Sequence, residues 1–152
     1  SEVDARRFSF VDGEIFASGG TGLAALDGST GEPRWITDEP AGTFAVTTDA
    51  AYCAFDAELR AYDRSGDLQW AIPDDRRSGR NRPGRDPPDY QGRVAADSEG
   101  VYVDSSAGLT AVDPADGRVR WRLSNGTLSA GPYLVESGVL VVDDGELVCH
   151  YR

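Results

Sequence analysis

The sequence predicts an all-β fold, a β-propeller of about four four-stranded antiparallel blades. Three observations carry this. One motif recurs four times along the 152 residues, each copy breaks into short apolar or alternating segments bounded by turn dipeptides, and no segment sustains a helical period. The copies are GEIFASGGTGLAALDGSTGEPRW (13–35), DAAYCAFDAELRAYDRSGDLQW (49–70), GVYVDSSAGLTAVDPADGRVRW (100–121) and GVLVVDDGELVCHYR (138–152). Their spacing is constant: Ile15 to Leu23, Ala51 to Leu59, Val101 to Leu109 and Val139 to Leu147 each span eight positions. Asp27, Asp63 and Asp113 follow four residues after the first three leucines, and Trp35, Trp70 and Trp121 close those copies.

Within a copy the strands come in a fixed order. The first strand is RFSF, TFAV, RVAA or PYLV. The second contains IFAS, YCAF or VYVD, the third is LAAL, LRAY, LTAV or LVCH, and the fourth ends at the tryptophan. Asp12–Gly13, Gly19–Gly20, Glu99–Gly100, Ser137–Gly138 and Asp144–Gly145 mark tight turns. Four such strands in about 35 to 40 residues are the signature of a propeller blade. Blades are expected at 8–36, 43–72, 93–123 and 132–152 of a single domain, 1–152. The last copy stops after its third strand, with Tyr151 in the aspartate position and no tryptophan. Residues 1–7 supplying the missing strand would close a small ring. Half of a seven- or eight-bladed propeller, or pairing with a second copy, fits the same pattern.

These residues resemble the repeat of the pyrroloquinoline-quinone (PQQ)-like β-propellers, where a strand pair ending in Ala-Leu-Asp leads through a Thr-Gly turn to a tryptophan. The resemblance covers nearly the whole chain and implies the propeller fold. For function it implies a range, because the family holds quinoprotein dehydrogenases, membrane-protein assembly lipoproteins and interaction domains. It favours a location outside the cytoplasm or at the cell surface, with the cytoplasm as the alternative. Dehydrogenases of the family hold a quinone and Ca²⁺ at the ring centre, with carboxylate and Asn ligands, a catalytic Asp and often an adjacent cysteine pair. None of these carries over: there is no Cys-Cys, Asn81 and Asn125 fall in expected turns, and His150 is the lone histidine. No catalytic, cofactor-binding or metal residue is therefore assigned, no cofactor is expected, and the chain reads as a non-enzyme.

The Asp-turn-Trp element has a structural reading. DGSTGE and DPADGR lack the alternating oxygen ligands and the bidentate Glu of a calcium loop. An aspartate ending a strand instead accepts N–H groups of the following turn, Gly31, Gly66 and Gly117 supply a left-handed conformation, and each tryptophan docks between blades. Cys53 and Cys149 read as strand residues two blades apart, too far for a disulfide. His150 takes a position held by Leu26, Tyr62 and Val112, a packing position. Asn125–Thr127 forms a glycosylation sequon that matters only in an exported protein.

Charge bounds the partners. Fifteen basic side chains, all arginine, face 26 acidic ones for a net charge of −11; lysine and methionine are absent. This composition resembles that of haloarchaeal proteins, whose carboxylates hold water and cations at high salt, while lysine's apolar stem adds surface that salt drives together. A GC-rich genome also favours arginine. Nucleic acid, which needs a basic footprint, is excluded as a partner. No run approaches the roughly 18 apolar residues of a membrane span, so membrane insertion is not expected.

The acidity is uneven: residues 1–75 carry a net −10 and residues 76–152 a net −1. The difference lies in 74–92, DDRRSGRNRPGRDPPDYQG, where Arg76, Arg77, Arg80, Arg82 and Arg85 cluster. Tryptophans of copies one and two stand 35 residues apart and those of copies two and three 51 apart, so this loop is an insertion. Long loops on rigid scaffolds frequently carry function, and this one reads either as a partner-binding contact or as a solvated insertion paired with the acidic body. The chain is expected to be a non-catalytic binding or scaffold domain, engaging a protein partner or itself. A fragment of a PQQ-dependent dehydrogenase or other propeller enzyme, and a structural oligomerisation module, are the alternatives. Trp35→Ala or Trp121→Ala is expected to cost about 3–5 kcal/mol through a core cavity; unchanged unfolding midpoints in both would contradict the docking role.

Overall fold

The computed structural model of the chain describes residues 5–55, 58–73, 93–105, 108–123, 130–136, 138–143 and 145–151. They form fifteen strands in four antiparallel sheets, the blades of a propeller. Blade 1 is β1 (Arg7–Val11), β2 (Glu14–Gly19), β3 (Gly22–Asp27) and β4 (Pro33–Ile36); blade 2 is β5 (Phe44–Val46), β6 (Ala50–Ala54), β7 (Glu58–Asp63) and β8 (Leu68–Pro73). Blade 3 is β9 (Val94–Ala96), β10 (Val101–Ser105), β11 (Gly108–Val112) and β12 (Val119–Leu123). Among the described residues blade 4 has three strands, β13 (Ala130–Val135), β14 (Gly138–Asp143) and β15 (Glu146–Tyr151). Arg7 pairs with Ser18 and the Arg6 N–H donates to the Ser18 carbonyl, so both residues belong to blade 1. Residues 1–4 lie outside the described residues.

The first strands β1, β5, β9 and β13 follow one another around the centre, each touching the next, and β4, β8 and β12 form the rim. Up-and-down pairing puts the turns between first and second strands, and between third and fourth, at one end. The described rim-to-centre connector, 37–43, shares the other end with the second-to-third turns. The rim strands run past the tryptophans, to Ile36, Pro73 and Leu123.

Period-two alternation gives each blade two faces, and both are apolar because each packs on a neighbouring blade. Phe16, Leu23, Ala25 and Trp35 on the trailing face of blade 1 meet Phe44, Val46, Ala51, Cys53 and Tyr62 on the leading face of blade 2. Tyr52, Leu59, Ala61 and Trp70 of blade 2 meet Val94, Ala96, Val101, Val103 and Val112 of blade 3. Tyr102, Leu109, Ala111 and Trp121 of blade 3 meet Leu134, Val139, Val141 and Val148 of blade 4. The same repeat positions serve at all three joints. No core cluster joins blade 4 to blade 1 among the described residues. Nor is any helix there long and apolar enough to cross a membrane.

Candidate functional site

Of the residues singled out by the repeat, the aspartates shape turns within their own blades, while the tryptophans and two of the turn glycines link neighbouring blades. Asp27 Oδ1 accepts the N–H groups of Ser29 and Thr30 at 2.8 and 3.1 Å, Asp63 Oδ1 those of Ser65 and Asp67 at 2.9 and 3.0 Å, and Asp113 Oδ1 that of Ala115 at 2.9 Å. The second oxygen takes a side chain from the rim strand: Arg34 at 2.9 Å, Gln69 at 3.1 Å and Arg120 at 2.8 Å. Those three residues sit at one place in the register. Ala25 pairs with Trp35 but Leu26 with Pro33; Ala61 pairs with Trp70 but Tyr62 with Leu68; Ala111 pairs with Trp121 but Val112 with Val119. Arg34, Gln69 and Arg120 are thus the extra residues of three equivalent bulges. Hydrogen bonding from Ser29 first and Arg34 second holds the Asp27 carboxyl well below the usual range, and Ala115 and then Arg120 lower that of Asp113.

The tryptophan reaches into the next blade. Trp35 Nε1 donates to the Arg64 carbonyl at 3.0 Å, and Trp70 Nε1 to the Pro114 carbonyl at 3.0 Å, in each case the residue after the next blade's aspartate. The indole lies on that blade's turn glycine. A Cβ on Gly66 would stand 2.6 Å from Trp35 Cγ, and one on Gly117 2.8 Å from Trp70 Cδ2. Gly31 has the same left-handed backbone, φ +74° against +89° and +76°, yet nothing lies within 4 Å of its Cβ position. Trp121 rests on Tyr102 and on His150 of blade 4, with ring centroids 6.1 and 6.4 Å apart.

Two features had no signal in the repeat. Glu14 is buried to 6% exposure, and its carboxylate takes Arg34 at 2.6 Å and Arg64 of blade 2 at 2.6 Å. Arg64 also donates to the carbonyls of Val11, Thr47 and Thr48, which clamps blade 2 to blade 1. Toward the opposite end, Asp104 of β10 has Oδ1 buried and unbonded among the described residues. Burial pushes its carboxyl up to about 6 against the opposing pull of Arg93. The same strand position in blade 1 is Ser18, whose hydroxyl donates to the Gly42 carbonyl at 2.7 Å.

Arg76, Arg77, Arg80, Arg82 and Arg85 fall in 74–92, outside the described residues, as does the sequon at 125–127. Arg93, the first described residue after that insertion, gives its carbonyl to the Asp104 N–H at 3.1 Å. Cys53 and Cys149 are free thiols, and burial pushes Cys53 up to about 12. The residues described do not fit a quinone with its calcium. The centre-lining strands read RFSFV, FAV, VAA and AGPYLV, with no carboxylate or amide side chain. No group of three His, Cys, Asp or Glu forms a metal cluster among the described residues.

With this geometry in place, residues 2–149 match the family described as outer membrane protein assembly factor BamB, of the PQQ-like repeat class. The chain belongs to that family. A search of curated proteins finds no match. Among solved structures, BamB from Moraxella catarrhalis superposes with a TM-score of 0.68 at 19% identity, over 97% of this chain and 48% of that one. The computationally designed Ika4 protein gives 0.69 at 12% identity, over 95% and 88% of the two chains. A europium-containing methanol dehydrogenase gives 0.61 at 15% identity, over 90% and 37%. These likenesses show the fold, and the chain spans about half the length of the BamB chain it matches.

The glycines separate backbone strain from indole docking. Gly31→Ala is expected to cost about 1 kcal/mol, the strain of a left-handed alanine. Gly66→Ala and Gly117→Ala should cost roughly 2–4 kcal/mol, because the methyl also displaces an indole; equal urea midpoints for all three variants would contradict the docking. Asp104 titrates with the opposite sign to most paired carboxylates. Its pKa rises on folding from 3.8 to about 6, so the folded state holds the proton longer and stability falls as pH rises through that window. Asp104→Ser is expected to add on the order of 1 kcal/mol near neutral pH, after discounting for its partial solvent contact, and to flatten the slope between those values. A slope unchanged by the substitution would count against this origin.

Proposed function

We propose that the chain is a non-catalytic propeller scaffold that holds an acidic protein or an anionic glycan through the insertion at 74–92, in a high-salt organism and on the outer side of the membrane. One observation carries the reading: the described residues that the repeat keeps shape the turns and dock blade on blade, whereas 74–92 breaks the fixed spacing of the repeat. Family membership supports a scaffold, since the matched description is of an assembly factor. The rigid blades on either side give the insertion a fixed base, as binding loops require. Arg76, Arg77, Arg80, Arg82 and Arg85 give it a charge opposite to the rest of a chain of net −11, which suits bidentate recognition of carboxylate or sulfate groups.

The test compares the intact chain with a variant lacking 76–89 for binding of poly(L-glutamate) and heparin at low and molar salt. Binding by the intact chain, lost in the variant at an unchanged melting temperature, is the expected result. Equal binding by both, or binding by neither, refutes the loop contact. Alcohol oxidation that depends on added quinone and calcium would refute the non-catalytic reading.

A further inference from the structure

Seven large apolar side chains are strongly exposed among the described residues, and their placement is not random. Phe8 at 68%, Phe10 at 67% and Ile36 at 48% lie on the leading face of blade 1. Tyr133 at 51%, Leu147 at 68% and Tyr151 at 78% lie on the trailing face of blade 4. Leu68 alone lies elsewhere. The register ladders Phe8–Ala17–Ala24–Ile36 and Phe10–Ile15–Leu26–Pro33 make the first face continuously apolar. Tyr133–Leu140–Cys149 and Val142–Leu147 do the same for the second.

These are the two halves of the joint already used three times. Phe8 and Phe10 hold the positions of Phe44 and Val46, which are packed against blade 1, and of Val94 and Ala96, which are packed against blade 2. Leu147 and Cys149 hold the positions of Leu23 and Ala25, Leu59 and Ala61, and Leu109 and Ala111, all buried against the following blade. A leading face therefore ends the arc on one side and a trailing face on the other. We infer that two copies of this chain close one ring, the leading face of each blade 1 packing on the trailing face of the other copy's blade 4.

Curvature agrees with this partner. The four blades follow about half of a propeller chain roughly twice as long, at TM-score 0.68 over 97% of their own length, so two arcs complete the circle. Head-to-tail contacts that close with two members form a finite ring and leave no apolar face in water. The two closing joints lack one part of the inner ones, since no indole lies on Gly31. Association is thus weaker than the inner joints and reversible with concentration. This inference does not rest on the insertion at 74–92, and either reading can fail alone.

Sedimentation equilibrium of the full chain at molar salt, from micromolar to near-millimolar, reads the stoichiometry. The expected result is a monomer–dimer equilibrium ending at twice the 16.3 kDa chain mass. Phe8→Asp and Leu147→Asp should each weaken dimerisation at least tenfold. A one-to-one mixture of the two variants retains one undamaged joint and should recover dimers. Both sites are exposed, so their melting transitions should persist; Phe10→Asp and Tyr151→Asp replace any variant that does not fold. Three results would overturn the ring: a monomer at every concentration, growth beyond the dimer, or full dimerisation of Leu147→Asp, which would mean that blade 1 pairs with itself.

Discussion

The docking of one blade's indole on the next blade's turn glycine is the contact on which the arc depends. A sheet of four short strands cannot bury both its faces alone, so each blade is stable only against its neighbours. An indole buries about 150–250 Å², roughly 4–6 kcal/mol of apolar transfer at 25 cal/mol per Å², against about 1 kcal/mol for its N–H hydrogen bond. Burial supplies the energy, and the bond to the Arg64 or Pro114 carbonyl sets the direction. The aspartate shapes the turn that receives the ring, and the bulge aims the tryptophan at it.

The first two joints share this plan, the third sets Trp121 against His150 instead, and the three differ in what surrounds the indole. The first adds charge: Glu14, buried between Arg34 and Arg64, ties turn ends of two blades together. The second and third are apolar and aromatic, with Tyr52 beside Trp70 and Tyr102 beside Trp121. Salt screens exposed charges strongly and buried ones little, while salts excluded from the protein surface strengthen apolar burial. With joints that are mainly apolar and Glu14 shielded at 6% exposure, added salt of that kind strengthens the contacts between blades more than it screens them.

The blades were legible in the sequence because a repeat preserves register: strand order, the aspartates, the glycines and the tryptophans all stand at fixed spacing. What spacing inside one copy does not encode is which copy a side chain reaches. The sequence reads each tryptophan as docking between blades, but does not show that Trp35 serves the turn after Asp63 or that no indole lies on Gly31 after Asp27. Glu14 and Arg64 are fifty residues apart and occur in no other copy, so no pattern could pair them. Asp104 looks like any polar residue ending VYVD; its burial comes from the packing of neighbouring elements. The rim strands were read as ending at the tryptophan, but Ile36 and Ile72 continue the ladder opposite Ala24 and Leu59.

The bulge before each tryptophan also sets how this chain tolerates changes of length. Arg34, Gln69 and Arg120 are unpaired in the ladder, and each shifts the strand by one position so that the indole points to the trailing face. Losing a single residue there would reverse the alternation and turn the tryptophan toward the blade behind it. The rim-to-centre connectors carry no such parity, and one of them has grown by about sixteen residues without disturbing the blades on either side. Length is free at one end of this propeller and counted residue by residue at the other, so new surface can be added only where the blades are handed on.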